Sequence, residues 1–460
     1  MTTHFVILGA TGDLTARYLI PALASLRAQH LVEFSSSILC VGYDDWTPEH
    51  FRAHIERALT KFAPGIDPEV RAATVAGLDY HQADVTRPAE LGAALGRHDG
   101  PMAVYLALPP TITAQVLKGL AEVRLPPESR IVIEKPFGHN LATAEALNDL
   151  IRPTFAEKYV FRIDHFLGKQ TAQNILGLRF ANRVFESLWN RDHIDRIELT
   201  WDESVALEGR AGYYDKAGAL KDMVQNHLLQ LLCLVAMEAP LSFNERDFRD
   251  RKVDVLRAVR RFTPEAAQRH TIRGRYTAGR IGDRAIPNYV DEPGVDPARK
   301  TETFAQVTLF INNWRWAGVP FVLRTGKALS RPWNEITVHF KPVPHLAFEG
   351  DGMPPPNILR LTLNPDRMEL GVNLNAEGDP FDLERITLAT ELAPQELSAY
   401  GKLIMDILDG NAVLSIRGDE AEESWRIVEP ILAAWADPGF PILDYPAGSH
   451  GPAPAGDPPG

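Results

Sequence analysis

Short apolar runs alternate with stretches of helical spacing through the first third of the chain. Residues 4–9 (HFVILG) form an apolar run that stops at a glycine, and apolar side chains then recur at Leu14, Tyr18, Leu19, Leu23 and Leu26, the spacing of one helix face. This predicts strand, tight turn, helix. A second apolar run at 37–42 (SILCVG) precedes a helical stretch from about 48 to 62, and further runs follow at 102–108 (MAVYLAL) and 130–134 (RIVIE). Strands that alternate with helices predict a parallel, doubly wound sheet. Residues 159–164 (YVFRID) read as one more strand, ending on an acid, with a helix from Gly168 on.

Beyond this point the pattern changes. Long helices follow, 215–237 being the clearest, and then alternating β-type runs at 303–311, 318–324, 335–341 and 357–363. Alternation of apolar and polar positions suits an antiparallel sheet with one solvated face. The chain is 460 residues long, and single cores stop growing at about 300 residues, so two domains are expected. The expected organisation is an α/β domain with a doubly wound parallel sheet at 1–164, a larger α+β domain with a mostly antiparallel sheet at 165–450, and a flexible tail at 451–460 (GPAPAGDPPG).

Charge narrows the partners. With 48 Lys+Arg against 60 Asp+Glu the net charge is −12, which repels a polyphosphate backbone and argues against nucleic acid. Any bound anion then needs a local group of cations. Two cysteines, Cys40 and Cys233, lie far apart in apolar segments and can form neither a disulfide framework nor a cysteine-rich metal site, so no metal is expected. The longest apolar run, around Leu228 to Pro240, is interrupted by Gln230 and Glu238 and falls short of the ~20 residues that span a bilayer. No basic n-region or cleavage site marks the first residues for secretion, and a cytoplasmic protein is expected.

Several segments combine polar groups with chemistry. Gly9, Thr11, Gly12, Asp13 and Leu14 follow the first strand, and glycines there let backbone N–H groups approach a pyrophosphate at a helix start. The match departs from G-x-G-x-x-G, and an ordinary strand–helix turn reads the same way. Asp44 and Asp45 stand where the second strand ends, where a carboxylate accepts hydrogen bonds from an adenosine ribose and repels a 2′-phosphate. Lys135 closes the run at 130–134, and Asp164, His165 and Lys169 follow the next strand, a grouping suited to orienting an imidazole and gripping a phosphate. Taken alone it also suits a structural ion-pair corner. His227 lies in the apolar stripe of the 215–237 helix; facing a cavity it would serve as a base, and otherwise it is a core histidine. Asp222 is five positions earlier, so α-helical periodicity does not place the two on one face.

Taken in order, GATGDL, LALPP (106–110), EKPFG (134–138), RIDHFLGK (162–169), GYYDKAGALKDMVQNHLLQ (212–230), VPFVLRTGKAL (319–329) and SWRIVEPIL (424–432) resemble the glucose-6-phosphate dehydrogenase family over nearly the whole chain. The resemblance implies a Rossmann-type domain and an oligomer, a homodimer or homotetramer, built through the antiparallel sheet. It implies that His227 is the general base for the C1 hydroxyl and Asp164 the carboxylate that orients it and stabilises its charged form. It implies that hydride passes from C1 of glucose 6-phosphate to a nicotinamide dinucleotide, giving 6-phosphogluconolactone, within glucose metabolism and the pentose phosphate pathway. His165 and Lys169 match phosphate ligands; Lys135, Glu203, Asp222 and Lys327 match residues that hold the sugar or its phosphate; Pro109 and Lys135 fall where the cofactor passes.

Departures from the family pattern carry their own expectations. Phe166 and Gln170 stand where Tyr and Glu are usual, which removes a hydroxyl from the phosphate grip. Two acids, Asp44 and Asp45, stand where NADP-using members carry an Arg, and the lysine-rich start of the first helix is reduced to Ala16-Arg17-Tyr18. NAD is therefore the expected acceptor, with NADP tolerated at best. The alternatives are the same mechanism on another hexose phosphate, or a catalytically silent regulatory relative; the silent reading predicts loss of His227, Asp164, Lys169 or Lys135, and all four are present.

Overall fold

The computed structural model describes residues 4–32, 38–347, 353–363, 365–377, 382–393 and 396–452. Ser37 of the second apolar run and residues 453–460 of the expected tail lie outside them. The chain divides into two compact units, one of residues 1–170, 240–250 and 395–422, the other of 171–239, 251–394 and 423–460.

In the first unit, β1 (His4–Leu8), β2 (Ile38–Gly42), β3 (Leu78–Gln82), β4 (Met102–Leu106), β5 (Arg130–Glu134) and β6 (Val160–Ile163) form one sheet in the order β3-β2-β1-β4-β5-β6. Every neighbouring pair is parallel. β2 and β4 are buried at every position, as strands covered on both faces are. The order reverses between β1 and β4, and in such sheets ligands bind beyond the carboxyl ends of the strands at that reversal. β3 (LDYHQ) has no counterpart among the expected strands. It sits at the sheet edge with an alternating burial pattern, so its sequence carries no continuous apolar run.

The single cut expected after residue 164 differs from this division. Segments 240–250 and 395–422 return to the first unit because their polar groups close there. Arg130 donates to the carbonyls of Ile407 (2.7 Å) and Leu408 (2.6 Å), Asn148 Nδ2 donates to Gly418 O (2.9 Å), and Arg417 Nη1 meets Asp250 Oδ1 at 2.5 Å. Arg162, buried in β6, is held by Glu157 at 2.6 Å and Asn148 at 2.7 Å.

The second unit carries a nine-stranded sheet. Its strands are β7 (Ile194–Asp202), β8 (Thr271–Thr277), β11 (Phe304–Phe310), β12 (Pro320–Gly326), β13 (Trp333–Phe340), β14 (Ile358–Leu363), β15 (Asp366–Asn375), β16 (Leu383–Glu391) and β17 (Leu443–Pro446); β9 (Gly279–Ile281) and β10 (Arg284–Ile286) form a separate hairpin. The order is β16-β15-β14-β13-β7-β12-β11-β8-β17, antiparallel except at β7·β12 and β8·β17. The 215–237 helix is composite: α-helix Ala211–Ala219, π-helix Leu220–Leu228, α-helix Leu229–Ala236. Gly218 breaks the first joint at φ 73°, where a Cβ would strike the Glu302 carboxylate. That carboxylate accepts from Leu220 N at 3.0 Å and so caps the π-helix.

Candidate active site

In the first unit the turn after β1, the end of β2 and the end of β4 enclose a cleft of about 430 Å3 lined by Gly9, Thr11, Gly12, Gly42, Tyr43 and Pro109 among others. Gly9 adopts φ 89° and a Cβ there would strike Ala107 O, so the turn requires glycine. Thr11 Oγ1 donates to Asp44 Oδ2 at 2.5 Å, and Tyr80 OH donates to Asp44 O at 2.6 Å, which fixes that carboxylate beside the cleft. Asp13 and Leu14 stand at the helix start, Asp13 beside Arg17 at 3.4 Å, and Asp45 is exposed. Arg17 also lies 5.3 Å from the Phe62 ring. A glycine turn, a helix start and a fixed carboxylate at the end of β2 are the parts a dinucleotide needs, and the residues present fit one.

Further along the same sheet edge, β5 ends at Glu134 and Lys135, and β6 runs into Asp164 and His165. Asp164 is buried and shapes its own turn: its Oδ1 accepts from Phe166 N at 3.0 Å and its carbonyl from Leu167 N at 3.1 Å. Lys169 Nζ lies 4.5 Å from the Phe166 ring. Gly168 lets the helix Ala399–Asp409 start against this turn, since a Cβ would come within 2.7 Å of Ala399 O. The approach stacks the Tyr400 ring on His165, 6.0 Å between centroids and 11° from parallel.

In the second unit, β7 and β12 run parallel and end in step at Asp202 and Gly326, so the residues after each, Glu203 and Lys327, meet as an ion pair. The backbone continues the ladder, Glu203 N donating to Gly326 O at 2.8 Å. Lys327 is buried and its Nζ lies 5.0 Å from the Tyr214 ring. Tyr213, half exposed, donates its OH to Asp222 Oδ1 at 3.3 Å. His227 is buried in the π-helix, its backbone N–H donating to Asn226 Oδ1 at 2.6 Å. The i→i+5 bonding of that helix stacks residues five apart along its axis, so Asp222 and His227 share a face that an α-helix would not give them. The expected periodicity is corrected in this respect.

The expected residues therefore divide between the two units, Lys135, Asp164, His165 and Lys169 in the first and Glu203, Asp222, His227 and Lys327 in the second. Two family models match the chain: glucose-6-phosphate dehydrogenase, NAD binding domain, over residues 6–174, and glucose-6-phosphate dehydrogenase, C-terminal domain, over 176–457. The chain belongs to the glucose-6-phosphate dehydrogenase family. It is similar to glucose-6-phosphate 1-dehydrogenases of Treponema pallidum (41% identity, covering 98% of this chain and 92% of the relative) and Mycolicibacterium smegmatis (40%, covering 98% and 94%). Among solved structures it is similar to the enzyme of Mycobacterium avium (TM-score 0.86, 34% identity, covering 98% and 96%). It is also similar to a glucose-6-phosphate dehydrogenase in complex with its substrate glucose-6-phosphate (TM-score 0.89, 31%, covering 99% and 96%).

As a member of that family the chain is an NAD(P)-dependent oxidoreductase acting on a CH–OH group. Among the described residues no helix is long and apolar enough to cross a membrane. Polar groups that the sequence did not single out also stand at the dehydrogenase's sheet edge. Tyr105 OH donates to the Glu134 carboxylate, and Tyr400 bonds the same group. Tyr105 sits inside an apolar run and reads as core, and Tyr400 is remote in sequence. Only the acid that ends β5 beside a lysine carried a usable signal.

Proposed function

We propose that this dehydrogenase oxidises C1 of glucose 6-phosphate to 6-phosphogluconolactone with NAD as its preferred acceptor. The observation that carries the reaction is His227, buried in the π-helix on one face with Asp222, in the unit that also holds the Glu203–Lys327 pair. His227 takes the proton of the C1 hydroxyl, which makes C1 a better hydride donor. Asp164 is the carboxylate that orients this base and stabilises its protonated form. The dinucleotide, when bound, supplies the acceptor ring for the hydride. Gly9, Thr11, Gly12, Asp13, Leu14, Pro109 and Lys135 would hold it.

The sugar phosphate is a dianion in a chain of net charge −12, so its grip depends on local cations. Lys169, Lys327, Lys135 and His165 supply them, and Glu203 and Asp222 accept hydrogen bonds from sugar hydroxyls. The preference for NAD rests on Asp44, fixed by Thr11 and Tyr80, with Arg17 directed to Asp13 and the Phe62 ring. A 2′-phosphate placed there meets a carboxylate in the position where an NADP enzyme needs a cation. Phe166, buried beneath Lys169, favours a second reading in which another hexose phosphate is accepted by the same mechanism. The protein is cytoplasmic and assembles as a homodimer or homotetramer through the large sheet, whose β16 exposes most of its side chains in the single chain.

Initial rates of reduced-nicotinamide formation with glucose 6-phosphate, run with NAD and with NADP beside a His227→Asn variant, test the reading. Strong turnover with NAD that the variant abolishes supports it. Strong preference for NADP overturns the assignment of Asp44 and Asp45, and no turnover with either overturns the substrate.

A further inference from the structure

Glu134 ends β5, immediately before Lys135, and three elements of the first unit close on its carboxyl. Tyr105 of β4 and Tyr400 of the helix Ala399–Asp409 both hydrogen-bond it, Lys135 lies beside it, and Asp164 faces it from the end of β6. Burial holds both phenols above their usual range, so they keep their protons and act as donors. Tyr400 in turn stacks flat on His165 and packs on Tyr18, 5.3 Å between centroids. One carboxyl therefore joins the sheet edge that carries Lys135 to the ring that sets the plane of His165.

We propose that Glu134 is a positioning residue for the reaction: its carboxyl, gripped by Tyr105 and Tyr400, sets where Lys135 and the His165 ring stand. This rests on the reading of Lys135 and His165 as substrate-holding residues. A carboxylate accepts both phenol hydrogens at once. Protonation removes the charge that strengthens both bonds, and where the new carboxyl O–H points at a phenol oxygen that phenol must turn from donor to acceptor, so the grip loosens. Burial pushes the Glu134 carboxyl up to about 7; hydrogen bonding by Tyr105, the Lys135 ammonium and Tyr400 oppose the rise, and Asp164 adds to it. The gripped form therefore prevails above neutrality and weakens below it.

The test is the ratio of kcat/KM for glucose 6-phosphate, wild type over Glu134→Gln, measured from pH 5.5 to 8.5. Titrations common to both proteins, that of the sugar phosphate among them, cancel in the ratio. The amide mimics the uncharged carboxyl, so the ratio is expected to be about tenfold at pH 8.5, the scale of one hydrogen bond to a charged group. It should fall towards one at pH 5.5 with its midpoint near 7. Tyr400→Phe should raise KM for glucose 6-phosphate more than it lowers kcat, with no further loss when combined with Glu134→Gln. A ratio that is the same at every pH, or additive losses in the double variant, overturns the proposal. Should Glu134→Gln fail to fold, Tyr105→Phe takes its place in the same double variant with Tyr400→Phe, and additive losses count against it. A wild type that does not turn over glucose 6-phosphate removes the underlying reading; a wild type that does, with Glu134→Gln unchanged, removes this inference alone.

Discussion

Thr11 Oγ1 donates to Asp44 Oδ2 across 2.5 Å, joining the turn after β1 to the end of β2 on the rim of the cofactor cleft. A free aspartate on a loop can turn away from an approaching phosphate. One pinned by a hydroxyl, with its own carbonyl held by Tyr80, cannot do so without losing that bond. The charge is thereby kept beside the cleft.

Asp44→Ala should therefore weaken NAD and admit NADP. We expect kcat/KM to shift from NAD towards NADP by at least about tenfold, since the variant loses an acceptor for ribose hydroxyls and a like charge against a 2′-phosphate. Paired rate measurements at fixed glucose 6-phosphate check it; an unchanged ratio would place the discrimination elsewhere. Thr11→Val should move the ratio in the same direction and by less.

His227→Asn should lower kcat by about 10²–10⁴-fold, the usual contribution of a positioned base. KM for glucose 6-phosphate should change little, because the asparagine keeps a polar group of similar reach and the phosphate is held by other residues. A variant that loses only KM would mean that His227 binds substrate without taking its proton.

Lys327 is buried and paired with Glu203 at the in-step ends of β12 and β7. Lys327→Ala should raise KM for glucose 6-phosphate about tenfold or more through loss of one cation, with a lowered melting temperature because Glu203 is left without its partner. Glu203→Gln should lower the melting temperature less, since an amide oxygen still accepts from the ammonium. Thermal unfolding beside substrate titration separates the two effects.

How far the sequence exposes this architecture depends on how each element is buried. β2, β4 and β5 are covered on both faces and show as apolar runs. β15 and β16 carry partly or fully exposed side chains at most positions, and their sequences DRMELGVNLN and LERITLATE give no comparable signal. β7 (IDRIELTWD), central in its sheet, breaks its apolar positions with Asp195, Arg196 and Glu198 and escapes for the same reason. Lys135 and Asp164 are legible because each closes an apolar run, and His227 because it interrupts an apolar helix stripe, whereas Glu203, Asp222 and Lys327 are reached only through the family motifs. What stays hidden is the winding that gives Asp222 and His227 one face, since i→i+4 and i→i+5 bonding are not distinguished by a pattern of apolar residues. Pairings across long separations, Glu134 with Tyr400 above all, arise only when the fold closes.

Asp215 tests the frame that carries the second unit's site. It is buried in the helix Ala211–Ala219, and its carboxylate is bonded by Arg299 at 2.6 Å, Tyr289 OH at 2.8 Å and Asp296 N at 3.1 Å. Burial alone would push this carboxyl up, but the Asp296 N–H, the Tyr289 phenol and Arg299 outweigh it and leave its pKa below the usual value. A carboxyl whose folded pKa is depressed contributes stability above its unfolded pKa of about 3.9 and loses it as pH falls through the folded value. Asp215→Ala should lower stability at neutral pH, because the Tyr289 phenol and the Asp296 N–H lose their acceptor and Arg299 keeps only the Asp296 carboxylate, 3.6 Å away. The difference from wild type, followed by urea unfolding, should stay level from pH 7 to pH 5 and shrink below pH 4. A difference that persists undiminished at pH 3 would show that packing around Asp215, and not its charge, holds the segment 289–301 against the helix that leads into His227.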